Sequence, residues 1–228
     1  WVDKVIADTT KKMYMKFKGV INKMFDFNIS KSLSAVSGQT RLLLFASLVI
    51  LMSNFLIAQD STPELQKEKQ TKLGLYVTAK EAYDMWLANP EKVKILDVRM
   101  PEEYVFVGHP EMAYNIPLVF GTYDWDAEKK MYKFKPNPDF VKECQALFQP
   151  DDIILATCRS GGRGAMAVNI LAGAGFTKVY NITDGIEGDE VTDPASLFKG
   201  QRLVNGWKNS GIPWTYDINP DLMILPKN

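Results

Sequence analysis

Ile153-Ile154-Leu155-Ala156-Thr157-Cys158-Arg159-Ser160-Gly161-Gly162-Arg163-Gly164-Ala165-Met166-Ala167-Val168-Asn169-Ile170-Leu171-Ala172 is the stretch on which the fold turns. Its first five residues form an apolar run of buried-strand length, and its last eight read as a helix. Cys158 therefore stands where a central strand turns into a helix. The first N–H groups of a helix have no intrahelical partner and carry the positive end of its dipole, so a thiolate placed there is stabilised. Arg159 and Arg163 add positive charge, and Gly161 and Gly162 can take φ > 0 at little cost, which a tight anion-cradling loop needs. A free cysteine is more often simple packing than chemistry. The strand–Cys–Gly-Gly–Arg–helix setting decides for a reactive one.

Cys158 and Arg163 stand in C-x4-R spacing. With its glycines, the stretch resembles the active-site loop of rhodanese-type sulfurtransferases. Cysteine phosphatases carry C-x5-R, a longer loop for the larger phosphate. Here that longer spacing falls on Gly164, and Thr157 stands where many phosphatases place a histidine. Dephosphorylation and arsenate reduction are disfavoured on loop length.

Working outward, the folded domain is expected over 73–216. Leu75-Tyr76-Val77 reads as a strand, and Thr78-Ala79-Lys80-Glu81 as a capping box opening a helix to about Asn89. Val93 to Arg99 reads as a strand, Pro101 as an early helix position, and Ala113 to Leu118 as a further strand. Pro138 to Phe148 reads as a helix with Phe140, Cys144, Leu147 and Phe148 on one face, which makes Cys144 core; a resolving thiol is the alternative. Lys178 to Ile182 is the last strand, and Arg202 to Ser210 a final helix stopping at Gly211. Strands alternating with helices give an α/β fold with a central parallel β-sheet flanked by helices.

Here the resemblance broadens. LDVRMPEEYVFVGHPEMAYNIPL, CRSGGRGAMAVNIL, and NITDGIEGD with NGWKNSGIPW resemble, in order, the first, active-site and closing regions of the rhodanese family. The resemblance implies a rhodanese-like domain with Cys158 as the nucleophile and Arg159, Ser160, Gly161, Gly162, Arg163 and Gly164 as its anion loop. It implies a structural role for His109, the only histidine. It is less specific for activity, because one fold hosts catalytic and non-catalytic members. Two segments depart from the family pattern. Residues 119–138 read as an inserted hairpin around the polar tip Asp126 to Lys130, and residues 190–204 as a second insertion. Each is a lid, a partner surface or a decorative loop.

Upstream, residues 1–41 carry Val2, Ile6, Met13, Phe17, Val20, Ile21 and Met24 at helical spacing among lysines, the pattern of a basic amphipathic arm. Such an arm lies on an anionic membrane or packs on a partner protein. The chain opens on Trp1, which reads as a processed or incomplete start, with Met13, Met15 and Met24 as conceivable ones. Residues 42–58 are uncharged and span roughly 25 Å as a helix, enough for a transmembrane anchor. A retained anchor is favoured over a cleaved signal, because the A-x-A cleavage pattern is poor. Residues 59–72 read as a polar linker and 217–228 as a tail. Eight Lys/Arg precede the uncharged stretch, which favours a single-pass membrane protein with its domain on the periplasmic or extracytoplasmic side.

The 27 basic and 27 acidic residues balance, which gives no argument for nucleic acid. Two cysteines and one histidine are too few for a zinc site built on those residues; no metal or organic cofactor is implied. The expected activity is a thiol sulfurtransferase. Cys158 takes sulfane sulfur from a small anionic donor such as thiosulfate, and passes it to a thiophilic acceptor. The competing expectation is an accessory or binding subunit of a membrane protein complex with little turnover.

Overall fold

The apolar runs Tyr76–Val77 (β1), Val93–Asp97 (β2), Tyr114–Asn115 (β3), Ile153–Thr157 (β6) and Val179–Ile182 (β7) line up in one sheet, in the order β1-β7-β6-β2-β3. All four pairings are parallel. The structure, a computed structural model, describes residues 65–224. The expectations for residues 1–64 lie outside the described residues. Among the described residues no helix is long and apolar enough to cross a membrane.

The central strands are nearly continuous apolar runs because both faces of the sheet are covered. Alternate side chains feed two cores. Leu96, Ile154 and Ala156 join Phe140 and Cys144 of helix α3 (Phe140–Leu147) and Ala167, Val168 and Leu171 of α4 (Gly162–Gly173). On the other face Val93, Ile95 and Leu155 meet Ala79 and Ala82 of α1 (Ala79–Ala88), Tyr104 of α2 (Pro101–Val107), and Trp207. The capping box is formed: Glu81 N–H donates to Thr78 Oγ1, and Thr78 N–H donates to the Glu81 carboxylate at 2.8 Å.

This topology creates a crevice. From β2 the chain crosses through α2 to β3, while from the adjacent β6 it crosses through α4 to β7 on the opposite side. Ligand sites of open α/β sheets lie at such a switch point, outside the carboxyl ends of the strands. Cys158 follows β6 directly and Arg99 lies two residues past β2, so both stand at that place.

The expected hairpin is present as β4 (Val119–Asp126) and β5 (Met131–Pro136), an antiparallel pair separate from the main sheet. Three boundaries differ from the sequence reading. Residues 65–72 are not a solvated linker: Lys67–Lys69 forms a 3-10 turn, and Lys69 is buried with its amine 3.0 Å from Asp189 Oδ1. Its carbonyl accepts from Asn181 Nδ2 on β7. Nor is the stretch after 217 a free tail, since Met223 bridges to Asn115 and prolongs the sheet edge beyond β3. Finally, Arg202–Ser210 is not an α-helix; only Trp207–Asn209 makes a 3-10 turn. There Trp207 and Lys208 donate backbone N–H groups to Gly185 and Ile186 instead, burying the indole completely. Gly206, at φ +92°, makes the corner that permits it, because a Cβ there meets the Gly188 backbone at 2.4 Å.

Candidate active site

The loop after β6 is built so that its carbonyls are satisfied from behind. Ile186 N–H donates to Cys158 O at 2.8 Å, and Glu187 and Gly188 donate to Arg159 O at 2.9 and 3.3 Å. With the carbonyls turned back, the Gly161 N–H faces the cysteine and donates to Cys158 Sγ at 3.2 Å. Gly161 sits at φ +100° as the residue before α4, and a side chain there would strike Thr183 O at 2.3 Å. Gly185, at φ +63°, presses on the other side, its missing Cβ 2.5 Å from Cys158 O. Gly164 is buried at the start of α4 where a Cβ would meet Asn181 Oδ1 at 2.4 Å, whereas Gly162 has open space. Ser160 is half-buried within the turn. Cys158 itself is only 2% exposed.

The two loop arginines separate. Arg163 donates both Nη groups to Glu103 of α2 at 2.6 Å each, a forked pair that ties α4 to α2 across the crevice. Burial disfavours its charge, but the hydrogen bonds and charge of Glu103 outweigh that and hold the guanidinium protonated. Burial opposes the Glu103 charge, but the hydrogen bonds and charge of Arg163 outweigh it and hold the carboxyl below its ordinary range. Arg163 is therefore the brace. Arg159 is exposed and makes no side-chain hydrogen bond or ion pair among the described residues.

Beneath the brace lies a second pair, fully buried. Arg99 Nε donates to both Asp97 oxygens at 3.0 and 2.9 Å, and Nη2 to Oδ2 at 2.7 Å. The same guanidinium donates to Gly108 O at 2.9 Å, anchoring the end of α2. Burial disfavours the Arg99 charge, yet Asp97 more than compensates and the guanidinium is held even more firmly protonated. A charge pair that deep is tolerated only when such additional bonds satisfy both partners.

Asp97, Arg99, Glu103 and the Asp184–Gly188 backing strip were missed as site residues in the sequence. A signal for Glu103 existed: it stands three residues after Met100 and accepts the Met100 N–H at 3.1 Å, as a helix-start glutamate does. Its second partner is 60 residues away, beyond any local pattern. Asp184 is buried, and accepts from the Ala79 and Gly206 N–H groups at 2.7 and 3.0 Å. It fixes the backing strip to α1 and to the Trp207 corner.

The other expected players fall outside the chemistry. His109 is 1% exposed and stacks on Tyr104 at 3.5 Å, with Nδ1 2.9 Å from Tyr104 O. Its backbone pairs with Thr215. Burial pushes the imidazole down, toward the neutral form. Cys144 is fully buried on α3 and burial pushes its thiol up to about 12, so it is an inert core thiol; neither cysteine is in a disulfide.

The rhodanese-like domain model matches residues 78–190. Over 117 residues the chain is 32% identical to the chloroplastic thiosulfate sulfurtransferase 16 of Arabidopsis thaliana, a match covering 51% of this chain and 88% of that protein. It is 28% identical over 142 residues to an uncharacterised protein of Rickettsia conorii, covering 61% of this chain and 96% of the relative. Among solved structures, the crystal structure of Rv0390 from M. tuberculosis is similar with 26% identity and a TM-score of 0.48, covering 62% of this chain and 96% of that one. With its cysteine loop between β6 and α4, the chain belongs to the rhodanese-like domain family.

Proposed function

We propose that the protein is a thiol sulfurtransferase working through a persulfide on Cys158. The Cys158 thiolate attacks the sulfane sulfur of an anionic donor such as thiosulfate. The donor S–S bond breaks and sulfite leaves with the bonding electron pair. A thiophilic acceptor then takes the outer sulfur and returns the electron pair to Cys158 as thiolate. The observation carrying this reading is the Gly161 N–H aimed at Cys158 Sγ, in a loop whose C-x4-R spacing is one residue shorter than the C-x5-R of cysteine phosphatases. Preorganised amides hold the anionic sulfur at each stage without reorganising. Arg163, clamped by Glu103, holds the loop shape, and unpaired Arg159 is left to draw in the donor anion.

Intact mass spectrometry tests this. Thiosulfate is expected to add one sulfur, and cyanide to remove it. Cys158→Ser abolishes the adduct and Cys144→Ser leaves it; a persulfide on Cys144 alone sinks the assignment.

For location the reading is a single-pass anchor over 42–58 with the domain outside the cytoplasm. It rests on the uncharged stretch and the basic arm. Because the chain packs from Leu65 onward, the tether shortens to residues 59–64, at most about 20 Å extended. Protease treatment of spheroplasts, followed by N-terminal analysis of the membrane fraction, checks it. Protection of the 65–224 domain shows the opposite orientation, and a soluble product starting near Gln59 shows a cleaved signal.

A second role, as a subunit of a membrane complex, draws on the hairpin. Tyr123, Trp125 and Tyr132 are exposed on β4 and β5, more aromatic surface than a solitary domain needs.

A further inference from the structure

Beside the catalytic loop, the second insertion closes a groove of about 580 Å³ that receives Arg159 from the loop and Glu187 from the backing strip. The insertion is a closed loop fastened at its neck. Glu190 bridges to Arg202, and Val191 N–H donates to Gln201 O at 2.9 Å. The other charged groups that line the groove already have partners. Arg202 donates to Gly188 O at 2.7 Å and pairs with Glu190 at 2.9 Å. Lys208 donates to Val107 O at 2.6 Å and lies over the Trp214 ring at 4.2 Å.

Two charges in the groove remain without a side-chain partner among the described residues: the Arg159 guanidinium and the Glu187 carboxylate. They are backbone neighbours, Glu187 N–H donating to Arg159 O at 2.9 Å, yet their side chains do not pair. The groove is thus lined by one cationic and one anionic side chain that pair with no other, on residues joined through their backbones, one of them the residue that follows the nucleophile. A ligand matching both carries a carboxylate and an ammonium close together.

Resting on the sulfurtransferase reading, we propose that this groove is the acceptor subsite and that Glu187 is its specificity-determining residue. It selects a zwitterionic thiol, an amino-acid or short-peptide thiol, with its carboxylate on Arg159 and its ammonium on Glu187. The acceptor thiolate attacks the outer sulfur of the Cys158 persulfide. The S–S bond breaks, the electron pair returns to Cys158 Sγ, and the product leaves as the acceptor persulfide. No net oxidation occurs. Arg159 serves both half-reactions, because the donor has left before the acceptor enters.

The test uses the full chain, loaded with thiosulfate and then offered L-cysteine, cysteamine, 3-mercaptopropionate, 2-mercaptoethanol or cyanide. Each thiol rate is corrected for its thiolate fraction. The wild type is expected to prefer L-cysteine over 2-mercaptoethanol. In Glu187→Gln the preference for cysteamine over 3-mercaptopropionate falls about tenfold, the worth of one hydrogen bond to a charged group, and Glu187→Lys reverses it. A wild type that treats the four thiols alike overturns the inference, as does a Glu187→Gln variant whose ratios match the wild type. If cyanide discharges the loaded wild type in those cases, the sulfurtransferase reading stands alone. If thiosulfate loads nothing on Cys158, both fall together.

Discussion

The catalytic loop and the β4–β5 hairpin both emerge beyond the carboxyl ends of parallel strands, but they are held in opposite ways. In the loop, Gly161 and Gly185 lie where any side chain would collide with backbone at 2.3 to 2.5 Å. The Cys158 and Arg159 carbonyls take three N–H groups from residues 186–188. Beyond its root at Val119, which packs on the core, the hairpin is fastened to itself: every residue of β5 is exposed, and Tyr123 on β4 is fully so. One region is dictated by atoms contributed from elsewhere in the chain, the other by its own turn and pairing. The expectation that follows is that substitutions in the first reach the chemistry and those in the second do not.

The largest expected effect comes from exchanging equivalent glycines. Gly185→Ala puts a methyl against Cys158 O and the Arg159 carbonyl at a left-handed φ. Overpacking and left-handed strain together cost about 3 kcal/mol. A loop displaced by about 1 Å slows sulfur loading roughly 100-fold. Gly121→Ala in β4 meets only the end of the Met100 side chain, at 3.4 Å, and its effect stays within about 0.5 kcal/mol. Urea midpoints and single-turnover loading measure both. Similar losses in the two variants break the comparison.

A smaller effect belongs to the brace. Glu103→Gln leaves Arg163 without its anion, a loss of about 1.5 to 3 kcal/mol at pH 7 for hydrogen bonds to a charged group. The sign with pH follows from the lowered carboxyl. Its contribution is complete above the unfolded glutamate value of about 4.3 and disappears as pH falls through the folded value. The stability gap between wild type and Glu103→Gln is therefore expected to hold from pH 7 to about 5 and to narrow below about 4. Urea titrations across that range decide it; a gap that widens in acid contradicts the pairing.

What the sequence disclosed divides along the same line. Cys158, its glycines and the strand and helix around it form a contiguous pattern, so the loop and its parallel-sheet setting were readable. So was the hairpin, whose polar tip is flanked by aromatic residues. The props were not. Glu103 meets Arg163, Lys69 meets Asp189, and Asp184 meets Gly206 only after the chain has folded. The segment 202–210 misled because its spacing imitates a helix, while Gly206 and the Trp207 contacts demand an irregular corner. Residues 65–72 looked like linker because their polar composition hides one buried lysine stem, and the stretch after 217 because its sheet bridge depends on a single residue, Met223.

The smallest effect sharpens the comparison at the hairpin tip. Asp126 Oδ1 accepts from the Glu128 and Lys129 N–H groups, a local turn that any aspartate makes for itself. The turn then requires a left-handed residue, and the chain supplies Lys130 at φ +53°, the only non-glycine with positive φ among the described residues. Strain at such a residue costs about 1 kcal/mol that glycine avoids, set against the extra freedom glycine has when unfolded. Lys130→Gly is therefore expected to stabilise the hairpin by a few tenths of a kcal/mol, seen as slower amide exchange along β4 and β5. The Trp125–Tyr132 edge contact at 5.3 Å gains in order with it. Because the tip shares no packing with the loop, global urea stability and sulfur loading stay as in the wild type. If Lys130→Gly alters the rate at which thiosulfate loads Cys158, the hairpin is coupled to the catalytic loop and the two regions are not independent.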